Sequence, residues 1–340
     1  MKAIDYIYKK IKEEETQKST EVKFKDYADN FYVWGKCAYI KRQHAKGRSI
    51  SKTHAAGRRS HLINHIFPRF GKTLLQDLNA IEVENWLVGL PLANGTKNDI
   101  LYSFGIILRE AKRERLIASN PLDDVERMAD LYREHDPFSL EDIKKLFPTD
   151  EKKLIEIWRH PKWAVMNYIM LTTGMRCGEA GAVQWKHVIW DLNGLLVLKA
   201  ITADNIIGPT KGNEKRAVIM PTRTRELLAW WRDQSPYNEL EHFIFFGQDG
   251  KTHLNAKTIG RKIPPAMVRA DIEIGDRWLS AHSLRHTYNT RLQKLLPEAM
   301  LRYMIGHKSR AMTKRYTHIT PEERLVELQS ALSQIDTAWE

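Results

Sequence analysis

The 340-residue chain is expected to be mainly α with a small antiparallel β-sheet, an α+β protein built as two domains. Three observations predict this. A chain of this length has material for more than one ordinary core. From Phe24 to about Arg127, apolar residues recur at spacings of three and four, the pattern of helices with one buried face. Short β-like runs are confined to one stretch, between Val188 and Met220.

Residues 1–20 are rich in lysine and glutamate and form a separate N-terminal segment, and a helical domain is expected over 21–130. In it, Ser51 can cap a helix through His54, Arg58, His61 and His65 that Phe67-Pro68-Arg69-Phe70-Gly71 would end. A second helix carries Val83, Trp86 and Leu87. A third runs from about Lys97 to Leu116, burying Ile100, Phe104, Ile107 and Leu108 until Asn120-Pro121 stops it. Residues 131–138 are charged and lack a hydrophobic stripe, which suggests a linker.

The second domain is expected over 139–340. Ser139 reads as an N-cap with Asp142 at the third helical position, opening a helix through Ile143 and Leu146. Trp163 to Thr173 is a strongly apolar helix, followed by a turn at Gly174 and a further helix through Val183 and Trp185. Three strand-like runs come next, Val188 to Trp190, Leu195 to Leu198 and Ala217 to Met220. The turn signals Asp191-Leu192-Asn193-Gly194 and Lys211-Gly212-Asn213 separate them. Thr222 can cap a helix carrying Leu227, Leu228 and Trp231. Thr320-Pro321-Glu322-Glu323 opens the last helix, whose stripe of Leu325, Leu328, Leu332 and Ile335 must bury against its own domain or a neighbouring molecule.

Composition narrows the function. Apolar and charged fractions of 42% and 28% are those of a globular protein, and no bilayer-spanning run or signal peptide is present, which points to the cytoplasm and away from membranes. The two cysteines, Cys37 and Cys177, are far apart and read as reduced thiols rather than a disulfide or a cysteine zinc site. Lys plus Arg number 54 against 42 Asp plus Glu, a formal charge of +12 that favours a polyanionic partner. Between Asp29 and Asp77 there is no acid, while Lys36, Lys41, Arg42, Lys46, Arg48, Lys52, Arg58, Arg59, Arg69 and Lys72 all fall there. Segregation of this kind suits a surface that follows phosphates, with the first eight as the DNA-binding candidates. Charge alone leaves RNA open.

Four segments of the second domain hold the chemistry: Thr173-Gly174-Met175-Arg176-Cys177-Gly178-Glu179, Thr210-Lys211-Gly212-Asn213, His282-Ser283-Leu284-Arg285-His286, and Gly306-His307 followed by Arg315-Tyr316-Thr317-His318. Attack of an oxygen nucleophile on a phosphodiester concentrates negative charge on the non-bridging oxygens, so fixed cations there lower the barrier. Guanidinium groups meet that need, since they stay charged and can offer two parallel donors. Arg176 and Arg285 fit this part, and Glu179, one helical turn from Arg176, can hold its fork.

In order and spacing these segments resemble the tyrosine recombinase (phage integrase) family. The family pattern is an arginine after Thr-Gly with a carboxylate three residues on, a lysine in a β-hairpin, a His-x-x-Arg pair, and a Gly-His ahead of the tyrosine nucleophile. Each element alone is weak, whereas the ordered series is specific and unsubstituted here. The resemblance covers nearly the whole chain and implies a two-domain DNA clamp, a helical core-binding domain plus a tyrosine recombinase catalytic domain with a C-terminal interaction helix. It implies a 3′-phosphotyrosyl bond through Tyr316, Lys211 as the acid protonating the departing 5′-oxygen, and His282 and His307 as phosphate donors or proton carriers. Lys215 and Arg216 compete with Lys211. The implied partners are double-stranded DNA, three further copies in a homo-tetramer on two DNA sites, and accessory DNA-bending or directionality proteins. No cofactor is implied, because the covalent bond stores the phosphodiester energy.

Within the family the Gly306 to His318 stretch looks closer to mobile-element integrases than to Xer resolvases. A Xer-like resolvase and a catalytically silent DNA-binding regulator are the alternatives. The pairs His61/His65 and His282/His286 have the spacing of metal ligands, but neither carries the Glu of His-Glu-x-x-His and Arg285 would repel a cation, so no metal site is expected.

Overall fold

Ile100, Phe104, Ile107 and Leu108 lie on one face of a 20-residue helix and are fully buried. They organise the first of two units, Met1–Arg133; the second is Glu134–Glu340. The structure is a computed structural model that describes residues 21–129, 133–213, 215–306, 321–329 and 331–339. The N-terminal segment 1–20 lies outside the described residues.

The first unit holds α1 (Phe24–Ala28), α2 (Ala38–Ala45), α3 (Lys52–His61), α4 (Phe67–Phe70), α5 (Ala80–Gly89) and α6 (Asn94–Arg113). Ser51 Oγ accepts from His54 N at 3.1 Å and starts α3 as expected. The run does not stay α-helical to the end. Leu62–Ile66 widens into a π-turn, with Phe67 N donating to Leu62 O, before α4 takes Pro68 into its first turn and stops at Gly71. Helix α6 ends earlier than expected, because Arg115 turns left-handed (φ 62°) directly after the Glu114 cap. Asn120 instead opens a 3₁₀ turn over Pro121–Asp124, accepting from Leu122 N at 3.2 Å. The core is closed by Leu62, Ile66, Phe70, Val83, Leu87 and Phe104, each of which contributes about 1.5–3 kcal/mol by burial.

The second unit opens on α7 (Leu140–Leu146) through the expected capping box. Asp142 N donates to Ser139 Oγ at 3.0 Å and Ser139 N donates to Asp142 Oδ2 at 2.9 Å. Residues 135–138, expected as part of a linker, are built into this unit; Phe138 is 3% exposed and its N–H donates to Thr287 Oγ1 at 2.8 Å. Next come α8 (Glu151–Trp158), the almost wholly buried α9 (Pro161–Thr173) and a single turn, α10 (Cys177–Ala180). The expected helix through Val183 and Trp185 does not form. Gly178 and Gly181 are poor helix formers, and Gly178 lies so close to the Ile201 carbonyl that a Cβ would sit 2.4 Å from its oxygen. Trp185 starts a 3₁₀ turn instead.

The main sheet is antiparallel in the order β1 (Val188–Ile189), β2 (Gly194–Val197), β5 (Arg216–Ile219), with Leu195 opposite both Val188 and Val218. A second ribbon, β3 (Ala200–Ile201) with β4 (Ile207–Gly208), was not anticipated. Every residue of β2 and β5 is buried, so the alternation that marks a one-sided strand is missing. Trp190 leaves the first strand for a 3₁₀ turn.

Helix α11 (Thr222–Gln234) begins at Thr222 itself, not after it: Thr222 N and Oγ1 donate to the Asp336 carboxylate at 2.7 and 2.8 Å. Among the described residues the remaining helices are α12 (Ala256–Gly260), α13 (Ile263–Arg269), α14 (Ala281–Leu292), α15 (Glu298–Ile305), α16 (Pro321–Gln329) and α17 (Leu332–Thr337). The expected terminal helix is thus two, and its Thr320 cap lies outside the described residues. Leu325, Leu328 and Ile335 are fully buried in a cluster with Leu196, Ala217 and Ile219 of the same unit. The stripe therefore needs no neighbouring molecule to cover it.

Candidate active site

The site begins where α9 stops. Gly174 takes φ 65° as the C-cap, and a Cβ there would stand 2.6 Å from the Tyr288 ring, so only glycine suits both the turn and the contact. The turn presents the Gly174 carbonyl to Arg285 Nη1 at 2.6 Å. Two residues on, Arg176 occupies the N-cap position of α10, and its N–H and Nη1 each donate to Glu179 at 2.9 Å. The fork expected on one helical turn exists.

Sequence reasoning missed that Glu179 serves a second arginine. Arg216 is 2% exposed, donates to both Glu179 oxygens at 3.2 and 2.7 Å, and sends Nε to the Met304 carbonyl at 2.7 Å. Burial pushes the Glu179 carboxyl up, but Arg216 and then Arg176 outweigh it and hold the group at about 2. Arg216 is thus not free to act as a general acid, contrary to its standing as a competitor of Lys211.

Arg285 sits on α14 and differs from Arg176. Its hydrogen bonds go to the carbonyls of Gly174 and Ile305. Burial first, then the charges of Arg176 and Arg216, pull its pKa down to about 9. A cation lowered in this way sits in a place short of negative charge, which a bound phosphate would supply.

Lys211 lies in a tight turn between β4 and β5, where Gly212 (φ 90°) and Asn213 (φ 58°) both bend left-handed and Asn213 N donates to Thr210 O at 2.8 Å. Lys211 and Arg176 line one open cavity of about 820 Å³, together with Leu301, Arg302, Ile305 and Gly306. Lys215 is exposed. Arg285 reaches the edge of the same cavity through Ile305. His307 and Tyr316 lie outside the described residues; Gly306, the residue before that segment, is part of the cavity wall.

His282 follows Ser280, whose Oγ accepts from His282 N at 3.1 Å and caps α14. Burial, followed by the charges of His135, Arg285, Arg176 and His286, lowers its imidazole pKa. His135 beside it, and Trp278 packed on His135, were not foreseen. His135 was hidden in an apparent linker, and nothing in sequence brings it to Trp278.

The basic stretch separates into two groups. Lys36, Lys41, Lys46, Arg48 and Lys52 are exposed. Arg42 pairs with Glu110, and Arg59 donates to the Ala28 and Phe31 carbonyls and lies 4.0 Å from Asp29. Arg58 is 7% exposed, between the rings of Tyr32 and Tyr102 at 5.6 and 4.9 Å. The expectation that acids do not compensate this run fails for Arg42, Arg59 and Arg69, the last paired with Glu82, because the fold brings acids from outside it; Arg58 is spent on packing.

Of the two histidine pairs, His61 Nδ1 is 3.2 Å from Ser103 Oγ, and His282 stacks on His135. Among the described residues no group of three His, Cys, Asp or Glu is placed to hold a metal ion.

The sequence profile described as the phage integrase family matches residues 139–323, more than half of the chain. The chain belongs to the phage integrase family. Among its integrase relatives is the ICEBs1 integrase of Bacillus subtilis (strain 168), 25% identical over 292 residues that cover 81% of this chain and 76% of that one. The fold is that of the Tn1549 transposon integrase solved with a circular intermediate DNA (TM-score 0.64, 18% identity, 86% of this chain and 97% of that one). It is also that of lambda integrase solved as a tetramer bound to a Holliday junction (TM-score 0.63, 15% identity, 85% and 79% covered).

Proposed function

We propose that the chain is the site-specific recombinase of a mobile element. The Tyr316 hydroxyl attacks a DNA phosphorus, the bond to the 5′-oxygen breaks, and a 3′-phosphotyrosyl linkage forms while Lys211 gives the departing oxygen its proton. Arg176 and Arg285 hold the non-bridging oxygens, His282 and His307 donate to the phosphate or carry the phenol proton, and Glu179 fixes the Arg176 fork. Reversal with a different 5′-hydroxyl rejoins the strand without metal or ATP.

The observation that carries this reading is that Arg176 and Lys211 line one cavity, with Arg285 bonded to the carbonyl of Ile305 in its wall. The ICEBs1 likeness over most of the chain favours integration and excision of an element over chromosome resolution. Four copies would bridge two sites through a Holliday junction, with accessory DNA-bending or directionality proteins, a reading supported by the likeness to lambda integrase solved as a tetramer bound to a Holliday junction. The first-unit contacts are assigned to Lys36, Lys41, Lys46, Arg48 and Lys52, in the cytoplasm.

The test is a nicked duplex spanning the junction between the encoding element and its host chromosome. The wild-type chain is expected to form an adduct that survives a denaturing gel, and Tyr316→Phe to bind the duplex equally and form none. An adduct persisting in Tyr316→Phe would remove Tyr316 as nucleophile.

A further inference from the structure

His282 stands in a column of rings that joins it to the start of the second unit. The His135 ring lies 3.8 Å from the Trp278 ring at 35° and 5.5 Å from the His282 ring at 28°. His135 Nδ1 is 3.2 Å from Ser280 Oγ, the atom that caps the helix carrying His282. The neighbouring backbone is fastened as well: Asp136 N donates to Trp278 O at 3.2 Å, and Trp278 N donates to Asp136 Oδ2 at 2.7 Å. Arg277 is held by Asp142 of α7 at 2.6 Å.

This much structure around an exposed histidine calls for an explanation. Trp278 keeps 46% of its surface in water, so it is not merely filling the core. An imidazole alone on a helix's first turn would sample several rotamers, and each is a different distance from the phosphate. Planar rings on one face of His282 remove those alternatives at little entropic cost.

We propose that His135 and Trp278 are positioning residues that hold the His282 ring in its working orientation toward the scissile phosphate. The inference rests on the recombinase reading above. The His282 pKa is lowered by burial first and then by the charged or titratable groups around that ring, His135, Arg285, Arg176 and His286.

Two measurements test it on the full chain. Histidine-selective ¹³Cε1 labelling, with His282 assigned through His282→Gln, follows its titration without DNA. Trp278→Ala should raise the His282 midpoint toward the ordinary imidazole value, and Trp278→Phe should leave it near wild type. Single-turnover cleavage of the nicked junction duplex at saturating protein should fall at least about 10-fold in Trp278→Ala with unchanged DNA affinity, and Trp278→Phe should restore it. His135→Phe, which keeps a ring but loses the Ser280 contact, should retain most of the rate, and His135→Ala should not. A wild-type chain that forms no adduct would overturn the recombinase reading. An active wild type with Trp278→Ala matching it in rate and titration would overturn this inference alone.

Discussion

Glu179→Gln isolates the one carboxylate on which two arginines depend. In the native chain Glu179 is 1% exposed and Arg216 2% exposed, so solvent screens their pairing little. The carboxyl is held from an ordinary 4.5 down to about 2, and at about 1.4 kcal/mol per pKa step this is about 3 kcal/mol. Breaking a buried pair by removing one partner gives the same range, about 3–5 kcal/mol. Because the folded pKa is depressed, this stabilisation is complete above pH 4.5 and is lost as pH falls from there toward 2. Urea denaturation followed by tryptophan fluorescence should show Glu179→Gln less stable by about 3 kcal/mol at pH 7, with the gap closing in acid. Glu179→Gln/Arg216→Met should lose less than the two single changes summed, since no buried charge is left alone. A loss below about 1 kcal/mol at pH 7, or a gap that does not change with pH, would refute the assignment of Glu179 as an ionised partner of Arg216.

Further outcomes follow from the same geometry. Arg285→Ala should reduce single-turnover cleavage by about 10²–10³ while weakening DNA binding far less; equal losses in both would leave Arg285 a binding residue only. Gly178→Ala drives a methyl into the Ile201 carbonyl and should cost at least about 2 kcal/mol by chemical denaturation, whereas Gly95→Ala, with open space around it, should be nearly neutral. Charge-neutralising changes at Lys36, Lys41 or Lys46 should each flatten the salt dependence of DNA affinity by about 0.9 in the log–log slope, while Arg58→Gln should act on stability and leave that slope alone.

The helical first unit, the Ser51 and Ser139 caps, the Gly174 turn and the small sheet were readable because each rests on local chemistry: a side-chain acceptor, a left-handed glycine, a period in the apolar residues. What escaped depends on residues far apart in the chain. Strands β3 and β4 are two residues each and carry no period. Asp336 caps α11 from 114 residues away, and Glu110 reaches Arg42 from another helix. The motif residues Arg176, Lys211, His282 and Arg285 were found as types in order, yet Arg216 was misjudged, since neither its burial nor its share in Glu179 shows in Lys215-Arg216. The linker expectation failed at 135–138 because only Phe138 is apolar there, while the segment is held chiefly by hydrogen bonds and ring stacking.

Leu325, Leu328 and Ile335 lie against β2 and β5, and the carboxylate at the head of α11 comes from Asp336. A ribosome making this chain therefore presents a sheet with one wet apolar face until the segment from Leu325 to Asp336 clears the exit tunnel. A product stalled or stopped before that segment offers chaperones and proteases the surface that the folded unit conceals.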